Sequence, residues 1–128
     1  KLIRDTEKSF WLAADKARAG NRLGDISSAV QTYAEGLGYG VIRDLCGHGI
    51  GQQMHEDPSI PNFGRPGRGV RLRSGMTIAV EPMVNAGTWR VKTLSDGWTV
   101  KTLDGRLSAH YENTICVSDN GPVILTAV

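Results

Sequence analysis

The hydrophobic period of this chain changes once, at Gly40. Before that point, apolar and small residues recur at helical spacing: Ile3, Thr6, Phe10, Ala13, Ala14 and Ala17, then Ile26, Ala29, Val30, Tyr33 and Leu37. Each set forms one stripe on a helix, over residues 1–18 and from about residue 25. Gly20 and Asn21 separate the two, Asp25 is the expected N-cap of the second, and Gly36 and Gly38 end it. Beyond Gly40 the spacing is that of strands. Residues 41–45 read as a short strand, 46–69 as irregular chain around one short strand, and 76–83 as a buried strand. Residues 89–94 and 98–103 read as a hairpin, with turns at Ser95-Asp96-Gly97 and Asp104-Gly105. Residues 109–117 read as the last long strand, which Asn120-Gly121 turns into 123–126. Two helices followed by antiparallel strands make an α+β fold, expected as a single domain over residues 1–128.

A chain of 128 residues is long enough for a real core. With 40% hydrophobic and 22% charged residues it is not a disordered composition. A net charge of +2 gives no argument for DNA or an anionic membrane. The apolar runs are far shorter than the ~20 residues a membrane helix needs. The opening Lys1-Leu2-Ile3-Arg4-Asp5 has no apolar core of a signal peptide, and because it begins with Lys the chain is expected to be processed or part of something longer. Two cysteines, Cys46 and Cys116, make no disulfide framework, so a reducing compartment, the cytoplasm, is expected. Arg65, Arg68, Arg71 and Arg73, interleaved with Pro66, Gly67 and Gly69, read as a solvated loop.

Three places could carry chemistry. In Cys46-Gly47-His48-Gly49-Ile50-Gly51, glycine on both sides of His48 lets the backbone pack closely and leaves the imidazole accessible. The same pattern also suits a tight bend beside a satisfied histidine. Glu81 interrupts the apolar run Met76-Thr77-Ile78-Ala79-Val80 just before Pro82. Buried alone, a carboxylate there would cost several kcal/mol, so it needs a cation or donors, unless it faces solvent at a strand end. Glu112 lies inside 109–117, where alternation puts His110, Glu112, Thr114 and Cys116 on one face. That face is exposed or functional. Together, one imidazole and two carboxylates form a nitrogen–oxygen donor set suited to Mn, Fe, Co or Zn. His55, seven residues after His48, is placed to bond a substrate or a developing oxyanion. No Gly-x-Ser-x-Gly, phosphate loop or Cys-x-x-Cys competes.

These residues carry a resemblance. Gly47-His48-Gly49-Ile50-Gly51, His55-Glu56, Pro58, Gly75-Met76, Glu81-Pro82-Met83-Val84, Asp96-Gly97-Trp98-Thr99 and Tyr111-Glu112-Asn113-Thr114 occur in that order over essentially the whole chain. So arranged, the chain resembles the bacterial, type I methionine aminopeptidases. Prolidases and proline aminopeptidases are similar around His48 and Glu81 but differ at Met83-Val84-Asn85-Ala86-Gly87 and Asp96-Gly97-Trp98. The resemblance implies the C-terminal half of the pita-bread fold, two helices plus a curved antiparallel sheet. It also implies that His48, Glu81 and Glu112 are metal ligands, that Glu81 is the general base, and that His55 contacts the scissile amide. Trp98, Cys46 and Met54 match the lining of the methionine pocket; the Met54 position is often Phe in the bacterial enzymes.

The family holds two divalent metals per site. It uses two further aspartates from an N-terminal half, and this chain has no counterpart to them. At most one metal is therefore expected from this chain alone. The missing half or a second copy is the expected partner, and a peptide or protein N-terminus the expected substrate, with ribosome association suggested by the family's work on nascent chains. The expected activity is removal of N-terminal methionine. The competing readings are a non-catalytic pita-bread binding module and an inactive fragment.

Overall fold

The computed structural model describes residues 1–128. Helix α1 spans Leu2–Ala14 and α2 spans Leu23–Gly36. On α1 the buried face is Thr6, Ser9, Phe10, Ala13 and Ala14. The small side chains let α2 approach closely, and the buried hydroxyls are satisfied along the helix: Thr6 Oγ1 donates to the Leu2 carbonyl at 2.9 Å and Ser9 Oγ to that of Thr6 at 2.6 Å. The helix stops at Ala14 rather than residue 18, yet Ala17 remains fully buried in the turn that follows.

The N-cap of α2 is Arg22 rather than Asp25. Asp25 lies three residues in, where its Oδ2 accepts the Arg22 backbone N–H at 2.8 Å. A carboxylate one turn into a helix reaches back to an otherwise unpaired amide as well as a capping side chain reaches forward. Its Oδ1 accepts from the Gly67 N–H at 2.8 Å, and Arg22 Nη1 donates to the Gly69 carbonyl at 2.8 Å. The loop bearing the four exposed arginines is thus clamped to the start of α2.

Ten short strands follow: β1 (Gly40–Val41), β2 (Gly47–Gly49), β3 (Glu56–Ile60), β4 (Thr77–Val80), β5 (Met83–Asn85), β6 (Val91–Thr93), β7 (Val100–Thr102), β8 (Ser108–His110), β9 (Asn113–Cys116) and β10 (Val123–Ile124). Residues 46–69 therefore contain two strands where one was expected, and the strand expected over 41–45 ends at Val41. One antiparallel sheet has the order β10-β9-β4-β2-β3, a second β1-β5-β8, and β6 pairs with β7 as the expected hairpin.

The two larger sheets share a seam. The expected strands over 76–83 and 109–117 each break in the middle, and each contributes one piece to either sheet. Val80 lies opposite Asn113 on one side of the seam, and Met83 opposite His110 on the other. Between them Glu81-Pro82 passes Tyr111-Glu112, held by a single backbone bond from the Tyr111 N–H to the Pro82 carbonyl at 3.2 Å. Proline has no N–H and cannot continue the ladder, so the break falls where Pro82 stands.

The core lies between the helices and the sheets: Phe10, Ile26 and Val30 from the helices meet Val41, Ile60, Leu72, Ile78, Val80, Val84, Ile115 and Val117. Tyr111 packs on this core with its ring centroid 5.2 Å from that of Phe10, which pins the seam to α1. No helix is long and apolar enough to cross a membrane.

Close backbone approach explains Gly47. A Cβ there would strike the Ala79 carbonyl of the neighbouring strand. Gly47→Ala should therefore cost about 1–3 kcal/mol, as overpacking does, read as a lower urea midpoint. A second tie joins the start of α1 to the chain after α2: the Tyr39 hydroxyl donates to Asp5 Oδ2 at 2.6 Å. That bond to a carboxylate raises the Tyr39 pKa, with desolvation and the Asp5 charge adding to it. Because the folded value lies above the unfolded one, the contribution is complete below the ordinary tyrosine value and lost as pH rises through the raised one. In ultraviolet titration, the phenol that Tyr39→Phe removes should ionise above the ordinary range, and Asp5→Asn should bring its midpoint down.

Candidate metal centre

His48 sits in the middle of β2, paired with Ala79 of β4 on one side and Ser59 of β3 on the other. Its Nδ1 lies 3.0 Å from the Gly49 carbonyl. A carbonyl can only accept, so Nδ1 carries a proton, and in the neutral ring Nε2 is the nitrogen left to ligate. Nε2 lies 3.4 Å from Glu81 Oε1. Glu81 follows directly after β4, and its backbone is held by the buried Asn62, whose Nδ2 donates to the Glu81 carbonyl at 3.0 Å. Glu112 enters from the other strand of the seam, immediately before Asn113. Asn113 Oδ1 in turn accepts from Thr126 Oγ1 at 2.7 Å.

The structure thus brings together the three residues singled out in the sequence. One donor atom from each of His48, Glu81 and Glu112 lies within 4.8 Å of the others. The His48 and Glu81 side chains are only 14% and 15% exposed, whereas Glu112 is 40% exposed. No lysine or arginine pairs with either carboxylate; the groups beside them are imidazoles. Two carboxylates held close together repel one another and form a site that a divalent cation would neutralise. A donor set of imidazole nitrogen and carboxylate oxygen fits Mn, Fe, Co or Zn, and the Nδ1–H bond to a backbone carbonyl is the usual support of a ligating histidine.

His55 is exposed, and its ring stacks on that of His48 with centroids 4.2 Å apart at 52°. The residues expected to line a methionine pocket are placed differently. Cys46 is half-buried, but Met54 is 73% and Trp98 87% exposed. No closed pocket forms around them. The two cavities, of about 860 and 300 Å³, lie between α1 and α2 and between the start of α2 and residues 58–70. Trp98 stands in the turn between β6 and β7, which pair as a separate two-stranded sheet.

His110 is the member of the cluster that sequence reasoning left without a role. Its Nε2 lies 3.3 Å from Glu81 Oε2 and 3.7 Å from Glu112 Oε2. The Glu81 carboxylate beside it raises the His110 pKa, partial burial opposes this, and the charges of Glu81 and Glu112 reinforce it. The available signal was its place two residues before Glu112 on the same strand face.

Comparison with known proteins places the chain in a family. The model of metallopeptidase family M24 matches residues 1–119. The chain belongs to that family. Among curated relatives, this M24 chain is 61% identical over 128 residues to methionine aminopeptidase from Clostridium perfringens, covering 100% of this chain and 51% of the relative. It is 51% identical over 128 residues to methionine aminopeptidase 1 from Bacillus subtilis, covering 100% of this chain and 52% of the relative. Among solved structures, methionine aminopeptidase from Thermotoga maritima superposes with a TM-score of 0.96 at 50% identity, over 99% of this chain and 51% of that one. The prolidase from Pyrococcus horikoshii, at 22% identity and a TM-score of 0.73, over 99% of this chain and 31% of that one, shares the fold. The chain spans about half the length of the methionine aminopeptidases it matches, and its two helices and antiparallel sheets are those of the pita-bread fold.

The turn that carries Trp98 in this M24 chain is organised by Asp96. Its Oδ2 accepts from Thr99 Oγ1 at 2.6 Å, and its Oδ1 accepts the backbone N–H groups of Trp98 at 2.9 Å and Thr99 at 2.8 Å. The Thr99 hydroxyl, then the two amides, hold the Asp96 pKa below the ordinary aspartate value. The turn's support is therefore present above that ordinary value and lost as pH falls through the lowered one. In NMR titration, the Trp98 and Thr99 amide shifts should move with a midpoint below the usual aspartate range. Asp96→Asn should abolish that step.

Proposed function

We propose that this chain is the C-terminal portion of a methionine aminopeptidase and supplies most of its catalytic groups for hydrolysing the bond after an N-terminal methionine. The observation that carries this reading is the convergence of His48, Glu81 and Glu112 at the seam, in a chain half to three-fifths identical to curated methionine aminopeptidases. A divalent cation held by these three residues would polarise the scissile carbonyl and acidify water. Co, Mn, Fe and Zn all suit the donors, and one ion is the expected complement of this chain alone.

The chain's own residues supply the remaining chemistry. Glu81 takes a proton from the attacking water and returns it to the leaving amine. His55, stacked on His48, donates to the carbonyl oxygen as negative charge develops there. Trp98, Met54 and Cys46 contact the methionine side chain; Met54 can adapt its shape to that wall because it is unbranched. The exposure of Met54 and Trp98 supports a partner that covers them, the N-terminal half that completes the relatives' length or a second copy of the chain. The arginine loop is free for a contact with the ribosome, and the two free cysteines suit the cytoplasm.

The test is methionine release from a short Met-Ala peptide, with Co(II) or Mn(II), by the protein as it occurs with any segment it is joined to. Glu81→Gln should lower kcat by about 10²–10⁴-fold, and His48→Ala should abolish Co(II) binding measured by calorimetry. Undiminished release by Glu81→Gln, or release that survives complete chelation of metal, would sink the proposal.

A further inference from the structure

We propose that His110 is a positioning residue of this centre, holding the Oε2 side of Glu81 so that Oε1 stays turned toward His48. The inference rests on the reading of the cluster as a metal centre and adds a residue to it. The two oxygens of Glu81 face two different imidazoles at nearly equal distance: Oε1 is 3.4 Å from His48 Nε2, and Oε2 is 3.3 Å from His110 Nε2. The two contacts are chemically unlike. His48 gives its Nδ1–H to the Gly49 carbonyl, so in the neutral ring the nitrogen facing Glu81 offers a lone pair. Lone pair and carboxylate oxygen leave a gap that attracts a cation. His110 makes no such backbone bond through its other nitrogen, and its Nε2 faces two carboxylate oxygens, which can only accept, so this nitrogen is placed as an N–H donor. Glu112 Oε2, at 3.7 Å, is beyond hydrogen-bond distance, which leaves Glu81 as the acceptor and Glu112 free for the ion.

The fold makes this division of labour possible. His48 comes from β2 in the five-stranded sheet and His110 from β8 in the three-stranded sheet, opposite Met83. Glu81 stands at the seam between them, with one imidazole supplied from each side. Without His110, rotation about the last torsion of Glu81 would exchange its two oxygens, and the carboxylate would be less ordered before the ion arrives. Partners of this kind, which touch a ligand rather than the metal, commonly change metal affinity by about 10–100-fold.

The experiment titrates the full chain with one equivalent of Co(II), following the visible d–d bands and the dissociation constant. His110→Phe, which removes the donor, should weaken binding about 10–100-fold and shift the bands. His110→Gln, which restores an N–H donor, should recover most of the affinity and the wild-type spectrum. His110→Ala serves as a second donor-free variant should the larger ring disturb the strand, and thermal unfolding of the metal-free chains controls for stability. Wild-type affinity and bands in both donor-free variants would overturn the proposal while leaving the centre intact. X-ray absorption of the Zn(II) form counting two imidazoles on the metal would also overturn it, by making His110 a ligand. Absence of Co(II) binding by the wild-type chain would overturn the metal centre itself, and this inference with it.

Discussion

The broken ladder at the seam is the constraint on which the rest of the structure depends. An unbroken antiparallel pair through residues 76–85 and 108–117 would run Glu81 and Glu112 into a continuous sheet. Instead Pro82 ends the hydrogen bonding of one strand, the chain crosses to a second sheet, and the opposite strand crosses with it. One backbone bond, from Tyr111 to Pro82, spans the gap. Side chains at such a break need not follow the strict alternation of the pleat. Both carboxylates can therefore turn to the same point.

Around this seam the surrounding structure is stiff. Asn62 holds the Glu81 backbone, Tyr111 is locked against Phe10 of α1, and Thr126 bonds Asn113 next to Glu112. The glycines flanking His48 let β2 fit closely between β3 and β4, which brings the imidazole toward the carboxylates. Rigid support matters for a metal centre because like charges brought together must be held there before the cation neutralises them. The apolar residues proposed to meet a substrate are not supported in this way. Trp98 stands on a small hairpin with a turn knit by Asp96, and Met54 on the bend before β3; both face solvent.

Much of this was legible in the residues themselves. The helical stripes placed both helices, and the turn signals at Asp96-Gly97 and Asp104-Gly105 bounded the small hairpin. The glycines on both sides of His48 and the carboxylate inside an apolar run pointed to His48 and Glu81 because each is costly unless something else uses it. The misreadings share a cause. Asp25 resembles an N-cap, but which residue starts a helix depends on where the preceding chain arrives, and here Leu23 is bonded to Val70 in a distant loop. Residues 46–69 are rich in breakers, yet β2 and β3 form there because a strand needs only a neighbour to pair with.

The sequence by itself determined the kinds of donor available, their separation along the chain, and the family to which the chain belongs. These follow from local chemistry: glycine where a side chain will not fit, proline where a ladder must stop, a charged group where only apolar ones should stand. Only the tertiary structure decided that Glu81 lies between two imidazoles, that His110 rather than a lysine or arginine accompanies the carboxylates, and that Trp98 is left uncovered. Those outcomes depend on strand register and on how two sheets meet, which are long-range properties that no window of neighbouring residues contains.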